Sequence, residues 1–143
     1  MPQLDLPQFT FSQWERWRSR PRPSQVFDVP AEFGIRGLYL LANSESAPIA
    51  EDYADEKYLH PQVIYIGESS HVDQRLERTH NAVRRYREAN GDANCDKLWF
   101  SVWRSQWTNW DRALAGASLA LYERALLLAY VKRHEKYPAL NRR

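Results

Sequence analysis

V-I-Y-I-G-E-S-S-H-V-D-Q-R-L, residues Val63 to Leu76, is the stretch whose reading decides the fold. Val63, Ile64, Tyr65 and Ile66 are β-branched or aromatic, which predicts a strand. The strand stops at Gly67, and a helix start follows. Ser70 is placed as an N-cap, with Asp73 as the acidic partner of a capping box. Arg75 stands a few residues into that helix. A strand end, a glycine and a helix N-terminus with an arginine nearby suit the binding of an anion.

Working outward, Gly37 to Ala42 (G-L-Y-L-L-A) reads as a preceding strand. Alternation sends Gly37, Tyr39 and Leu41 to one face, Leu38 and Leu40 to the other. The same rule groups Val63, Tyr65 and Gly67 against Ile64 and Ile66. Pairing the two as an antiparallel hairpin lets Tyr39 and Tyr65 share a face. Between them, residues 43–62 form a long insertion carrying Pro48, Pro61 and the acids Glu45, Glu51, Asp52, Asp55 and Glu56. A short helix is expected inside it, from Ala50 to Leu59. Leu98 to Arg104 (L-W-F-S-V-W-R) predicts a third strand, with Trp99 and Trp103 on one face and Leu98, Phe100 and Val102 on the other. These read as core residues.

Two helices complete the pattern, each with a misplaced charge. His71 to about Asn90 gathers Val72, Leu76, Thr79, Ala82, Val83 and Tyr86 on one side. Arg75 falls near the middle of that apolar side, where it must pair internally, snorkel to the edge or meet a ligand. Asp73, Glu77, His80, Arg84 and Arg87 lie mostly opposite. Asn109 to His134 is the second helical stretch, capped by Thr108 or Asn109 and divided in two at Gly116. Within it Glu123 has Leu119, Ala120, Leu126 and Leu127 as helical neighbours, while Lys132 projects opposite. An inward carboxylate needs a cation: a salt bridge to Arg75 or Arg112, or a metal.

Residues 1–36 read as an N-terminal extension with a short helix at Phe11 to Arg18, broken by R-P-R-P-S. Its Trp14 and Trp17 are expected to pack on the main domain, residues 37–143, rather than to stack on nucleic acid. Ala89 to Asp96 reads as a loop with Cys95 as a structural bystander, and His60 and His134 as surface residues.

The totals agree with one domain. A chain of 143 residues buries a real core, and 43% hydrophobic content argues against disorder throughout. No apolar run is long enough to span a membrane, so no membrane partner is expected. The start M-P-Q-L-D-L-P-Q-F lacks the basic-then-apolar pattern of a signal peptide, and a cytoplasmic location is the expectation. A single cysteine excludes an internal disulfide and a cysteine-rich zinc site. Net charge is only +2, yet bases collect at Arg16 to Arg22, Arg75 to Arg87 and Arg124 to Arg143.

The order Gly37-Leu38-Tyr39, Tyr65-Ile66-Gly67, Arg75, Glu123, Asn141 resembles the GIY-YIG nuclease superfamily. The resemblance covers Gly37 to Asn141. It implies a small α/β (α+β) fold, a three-stranded antiparallel sheet flanked by helices. It also implies an endonuclease, a phosphodiester hydrolase that cuts DNA with one divalent ion, Mg²⁺ or Mn²⁺. Tyr39, Tyr65, Arg75, Glu123 and Asn141 match the family's catalytic set, with Glu123 as the metal ligand. Three departures stand out. The first tripeptide is G-L-Y, and the loop between the tripeptides is long and acidic. One turn after the arginine, where members carry histidine, tyrosine or lysine, stands Thr79, so His80 and His71 are the auxiliary candidates.

On this reading Arg75 offsets charge on the scissile phosphate. Tyr39 activates the water, and Tyr65 positions water or phosphate, with the two roles exchangeable. An ordinary phenol titrates near 10, so the base needs a neighbouring positive field. Asn141 ties the C-terminal tail to the site or binds a phosphate. Arg78, Arg84, Arg85, Lys132, Arg142 and Arg143 are candidates for the flanking nucleic-acid backbone. RNA stays open as a substrate, and a homodimer is a further expectation, since cutting both strands takes two sites. Two competing readings remain: a catalytically silent nucleic-acid-binding module, and a protein-interaction domain using the acidic loop and tryptophans.

Overall fold

The computed structural model describes residues 6–17, 36–49, 51–53, 55–69, 71–72, 81–105 and 112–141. It is a mixed α/β fold, a four-stranded antiparallel sheet with helices on both faces. The strands are β1 (Glu15–Arg16), β2 (Gly37–Asn43), β3 (Val63–Ser69) and β4 (Leu98–Arg104), in spatial order β1-β4-β2-β3. Helix α1 spans Asn81–Asn90 and α2 spans Arg112–His134.

β2 runs down the centre, paired with β3 on one side and β4 on the other. Every residue from Gly37 to Ala42 is buried. That explains its unbroken apolar run, since a strand covered on both faces has no solvent side to mark. One core layer joins Leu38, Leu40, Val63, Ile66, Trp99 and Trp103 to Leu119, Leu126, Leu127 and Tyr130 of α2. The other joins Tyr39, Leu41, Leu98, Phe100 and Val102 to Val72, Val83 and Tyr86. The expected faces of β2 and β4 are therefore the observed ones.

The sheet has four strands rather than three. The stretch expected as a helix at Phe11 to Arg18 is extended as far as Trp17 and pairs with β4: Glu15 with Phe100, Arg16 with Trp99. β4's outer edge offers unpaired backbone groups, and the arm satisfies them. Ser12 N donates to Val102 O at 2.8 Å, and Trp17 N to Leu98 O at 2.9 Å. Trp14 joins the α2 layer and Trp17 packs against the other, the parity of an extended chain. Phe9 sits edge-on to Trp103 at 5.1 Å and Tyr122 at 5.6 Å, so the arm is part of the core. The Arg16 guanidinium lies 4.8 Å from the Trp99 ring and donates to Asp96 O.

Other boundaries move for local reasons. A bulge between Leu41 and Ala42 lets Ile64 slip, so Val63 shares a layer with Ile66 while Ile64 lies with Tyr65. The insertion holds two short 3-10 turns, Glu51–Tyr53 and Lys57–Leu59, in place of one helix. The loop after α1 contains a 3-10 helix, Asp92–Lys97, in which Cys95 is buried. α2 passes Gly116 without a break, because its alanine and leucine neighbours are strong helix formers. The N-cap positions Ser70, Thr108 and Asn109, and residues 73–80 of the first expected helix, lie outside the described residues.

His60, expected at the surface, is buried, and His134 is half-buried. The Nδ1 of His60 accepts from Gln62 N at 3.1 Å. His134 Nε2 meets Leu59 O at 2.6 Å, and its ring lies 4.4 Å from that of Tyr130, tilted by 48°. These contacts dock the insertion on the end of α2. Burial, and then the charge of His134, lower the His60 pKa from 6.5. A protonated Nδ1 also cannot accept from Gln62. The folded state therefore prefers neutral His60, so its contribution is complete above about pH 6.5 and falls as pH drops below that value. Thermal unfolding between about pH 5 and 8 should show this loss in the wild type and a shallower one in His60→Gln. Identical pH slopes in the two proteins would remove the assignment.

Candidate functional site

The hairpin brings the two tyrosines together. Tyr39 pairs with Gly67 and Leu41 with Tyr65, which sets both phenols on one face, ring centroids 5.8 Å apart and tilted by 32°. Tyr39 is buried at 1% exposure and Tyr65 is half-buried. Gly67 is what gives them room. A Cβ there would stand 2.6 Å from Tyr65 Cε1, 2.7 Å from Tyr39 Cζ and 2.8 Å from Tyr39 Oη. The Tyr39 ring thus crosses over β3, and its hydroxyl lies above the edge strand. Gly37 answers a similar constraint, since a Cβ there would stand 2.0 Å from Trp103 O on β4. The glycines of both tripeptides are steric requirements, a role that sequence spacing alone leaves unstated.

Asn141 works as a substitute strand residue. Its Oδ1 accepts from Ile66 N and its Nδ2 donates to Ile66 O, both at 2.9 Å. Leu140 N donates to Ile64 O at 2.7 Å. The tail therefore covers the outer edge of β3 up to Ile66, next to Gly67. Arg85 Nη2 donates to Leu140 O at 2.6 Å and fastens the tail to α1. That guanidinium, expected at a nucleic-acid backbone, serves the tail here. The Asn141 carboxamide ties the tail to β3.

Glu123 approaches from the other layer. Leu119, Leu126, Leu127 and Tyr130 around it are buried, and Glu123 itself is half-buried. Tyr130 Oη donates to Val63 O at 3.1 Å, and His134 meets Leu59, so α2 lies along β3 with its C-terminal end at the insertion. From Tyr130 back to Glu123 is about 10 Å of helix. The same length of strand from Val63 reaches about Ile66 to Gly67. Glu123 thus lies on the helix of the layer opposite the one that holds Tyr39 and Tyr65.

The acidic insertion is remote from Gly67. It leaves β2 at Asn43, about 13 Å of strand from Tyr39, and enters β3 at Val63. Glu45 pairs with Lys97 at 3.1 Å on the surface. The repulsion a phosphate would meet near those acids therefore falls at the far end of the hairpin.

His71 is exposed at the end of β3, its backbone N donating to Ser69 Oγ at 3.0 Å. Arg84 and Lys132 are exposed. Arg75, Arg78, Thr79, His80, Arg142 and Arg143 lie outside the described residues. No group of three or more His, Cys, Asp and Glu able to hold a metal occurs among the described residues. No helix of the described residues is long and apolar enough to cross a membrane. Comparisons with protein-family models, curated proteins and solved structures find no match to this chain.

Gly67→Ala should destabilise the fold by about 1–3 kcal/mol, the range of overpacking, because the buried Tyr39 ring has nowhere to go. Asn141→Asp removes the donor and sets a carboxylate against Ile66 O. Amide exchange at Ile66 should accelerate in this variant while that at Leu40, in the sheet centre, holds. Unchanged Ile66 protection would show that the carboxamide does not hold the strand.

Proposed function

We propose that this chain is a divalent-metal-dependent endonuclease that hydrolyses DNA phosphodiester bonds at a GIY-YIG-type site. The observation that carries this reading is the crossing of Tyr39 over side-chain-free Gly67, beside Tyr65 on the same face. The motif residues Tyr39, Tyr65 and Gly67, scattered over the sequence, meet on one face of the β2–β3 hairpin. Arg75 follows β3 by only a few residues, so its chain departs from the same end.

The chemistry divides among these groups. Tyr39 takes the proton of the attacking water, with its ring fixed by burial so that the hydroxyl is aimed before substrate arrives. Tyr65, less buried, orients the water or a phosphate oxygen. Arg75 donates to the scissile phosphate and offsets its growing negative charge. Asn141 acts through β3, holding the backbone that carries Tyr65 and Gly67. Glu123 would hold Mg²⁺ or Mn²⁺. The donor chemistry fits, since Mg²⁺ commonly binds through one or two carboxylates completed by water and substrate phosphate. When bound, the ion supplies Lewis-acid stabilisation of phosphate oxygens. Arg84 and Lys132 are candidates for the flanking backbone.

Nicking of supercoiled plasmid with Mg²⁺ or Mn²⁺ tests the reading. Tyr39→Phe, which keeps the ring and loses the hydroxyl, should slow cleavage about 100-fold or more. Glu123→Gln and Arg75→Ala should fall as far, with unchanged circular dichroism. Full activity in Glu123→Gln, or cleavage in excess chelator, would defeat the mechanism. Salt-sensitive DNA binding without cleavage would favour the silent binding module, and no DNA affinity at low salt the protein-interaction reading.

A further inference from the structure

The N-terminal arm and the insertion border a cavity that the proposed chemistry does not use. It holds about 550 Å³, within the range of small-molecule sites. Trp14 walls it on the arm side, and Ala47, Pro48, Ile49 and Tyr53 on the insertion side. The two sides are joined in the folded chain. Phe9 and Phe11 of the arm each lie 6.4 Å from the ring of Tyr58, and Lys57 Nζ donates to Ser12 O at 2.7 Å. Ile49 is 83% exposed, an aliphatic side chain on the cavity wall that the protein's own core leaves uncovered.

The nitrogen groups on this wall are all donors. Lys57 carries three N–H groups as an ammonium, and Ser12 O takes one of them. Among the described residues no carboxylate pairs with it. Burial lowers its pKa, with no negative charge beside it to hold the value up. His60 Nδ1 accepts from Gln62 N, so the neutral ring carries its proton on Nε2 and donates from there. The indole N–H of Trp14 is closed off from solvent and has no acceptor, which leaves this wall one hydrogen bond short. Glu51 is the acid on the wall, and it is exposed. A half-buried cation without a counter-charge, a second donor and an apolar surface call for a ligand with an anionic head and an apolar body.

We propose that this cavity binds a small monocarboxylate with an apolar, ring-sized body, the carboxylate at Lys57 and His60 and the body against Trp14, Pro48 and Ile49. A carboxylate accepts several hydrogen bonds and supplies the counter-charge that Lys57 lacks. Glu51 disfavours a second negative charge, which selects a monocarboxylate over a phosphate ester. The body displaces water from Trp14, Pro48 and Ile49, the hydrophobic part of the binding. The cavity lies at the insertion, at the end of the β2–β3 hairpin away from Gly67, so binding there does not depend on the nuclease reading.

Titration of 2-naphthoate into the isotopically labelled full chain at about pH 7.5, where His60 is neutral, tests this through the amide and indole N–H resonances. Saturable shifts are expected at Ile49, Tyr53, Lys57 and the Trp14 indole, with Kd of about 1 mM or below. 2-Naphthamide, the same body without the charge, should bind at least about tenfold more weakly. Lys57→Met should erase that difference, and Lys57→Arg should keep it. Should Lys57→Met fail to fold, the comparison of acid with amide in the wild type decides alone. No saturable shift, equal affinity for acid and amide, shifts centred away from the cavity, or a folded Lys57→Met protein that still prefers the acid would overturn the proposal.

Discussion

The contact between the Tyr39 ring and the bare backbone of Gly67 is the constraint on which the rest depends. A side chain at 67 would occupy the space of the ring, with a Cβ less than 3 Å from atoms of both tyrosines. The ring cannot retreat, because Tyr39 is buried in the layer formed with Phe100, Val102 and α1. β2 therefore needs a glycine opposite Tyr39 and a partner strand in one register. The bulge at Ile64 accommodates that register while sending Val63 to the layer under α2.

The two edges of the sheet are finished by segments outside the central hairpin. β4 is covered by the N-terminal arm, which also supplies Phe9, Phe11 and Trp14 to the core. β3 is covered by the C-terminal tail, where the carboxamide of Asn141 replaces a strand residue. Exposed edges invite pairing with other chains, and both covers suppress it. The tail's cover reaches Ile66, just before the residue that the Tyr39 ring crosses.

Much of this was legible in the residues, for identifiable reasons. β2 and β4 alternate cleanly, and both tyrosines share a face because antiparallel pairing preserves parity. Glu123 was conspicuous because a carboxylate in the stripe of Leu119, Leu126 and Tyr130 breaks the pattern of a packed helix. The arm was misread because Trp14 and Trp17 fit a helical i, i+3 spacing, and nothing local announces that a strand edge over eighty residues away awaits them. The pairing of Asn141 with Ile66 was hidden for the same reason, as both partners are ordinary in their own neighbourhoods. His60 passed for a surface residue because the acidic run before it masks a turn that buries its ring.

The central claim is that Glu123 and the tyrosines serve one site at the Gly67 edge of β3. Mn²⁺-induced broadening of backbone amide signals, recorded with a short DNA duplex present, tests it most directly. The account predicts selective broadening at Gly67 and Glu68, with their neighbours across the strand, that disappears in Glu123→Gln. Broadening centred on the acidic residues Glu51 to Glu56, or broadening at Gly67 that survives Glu123→Gln, would contradict it.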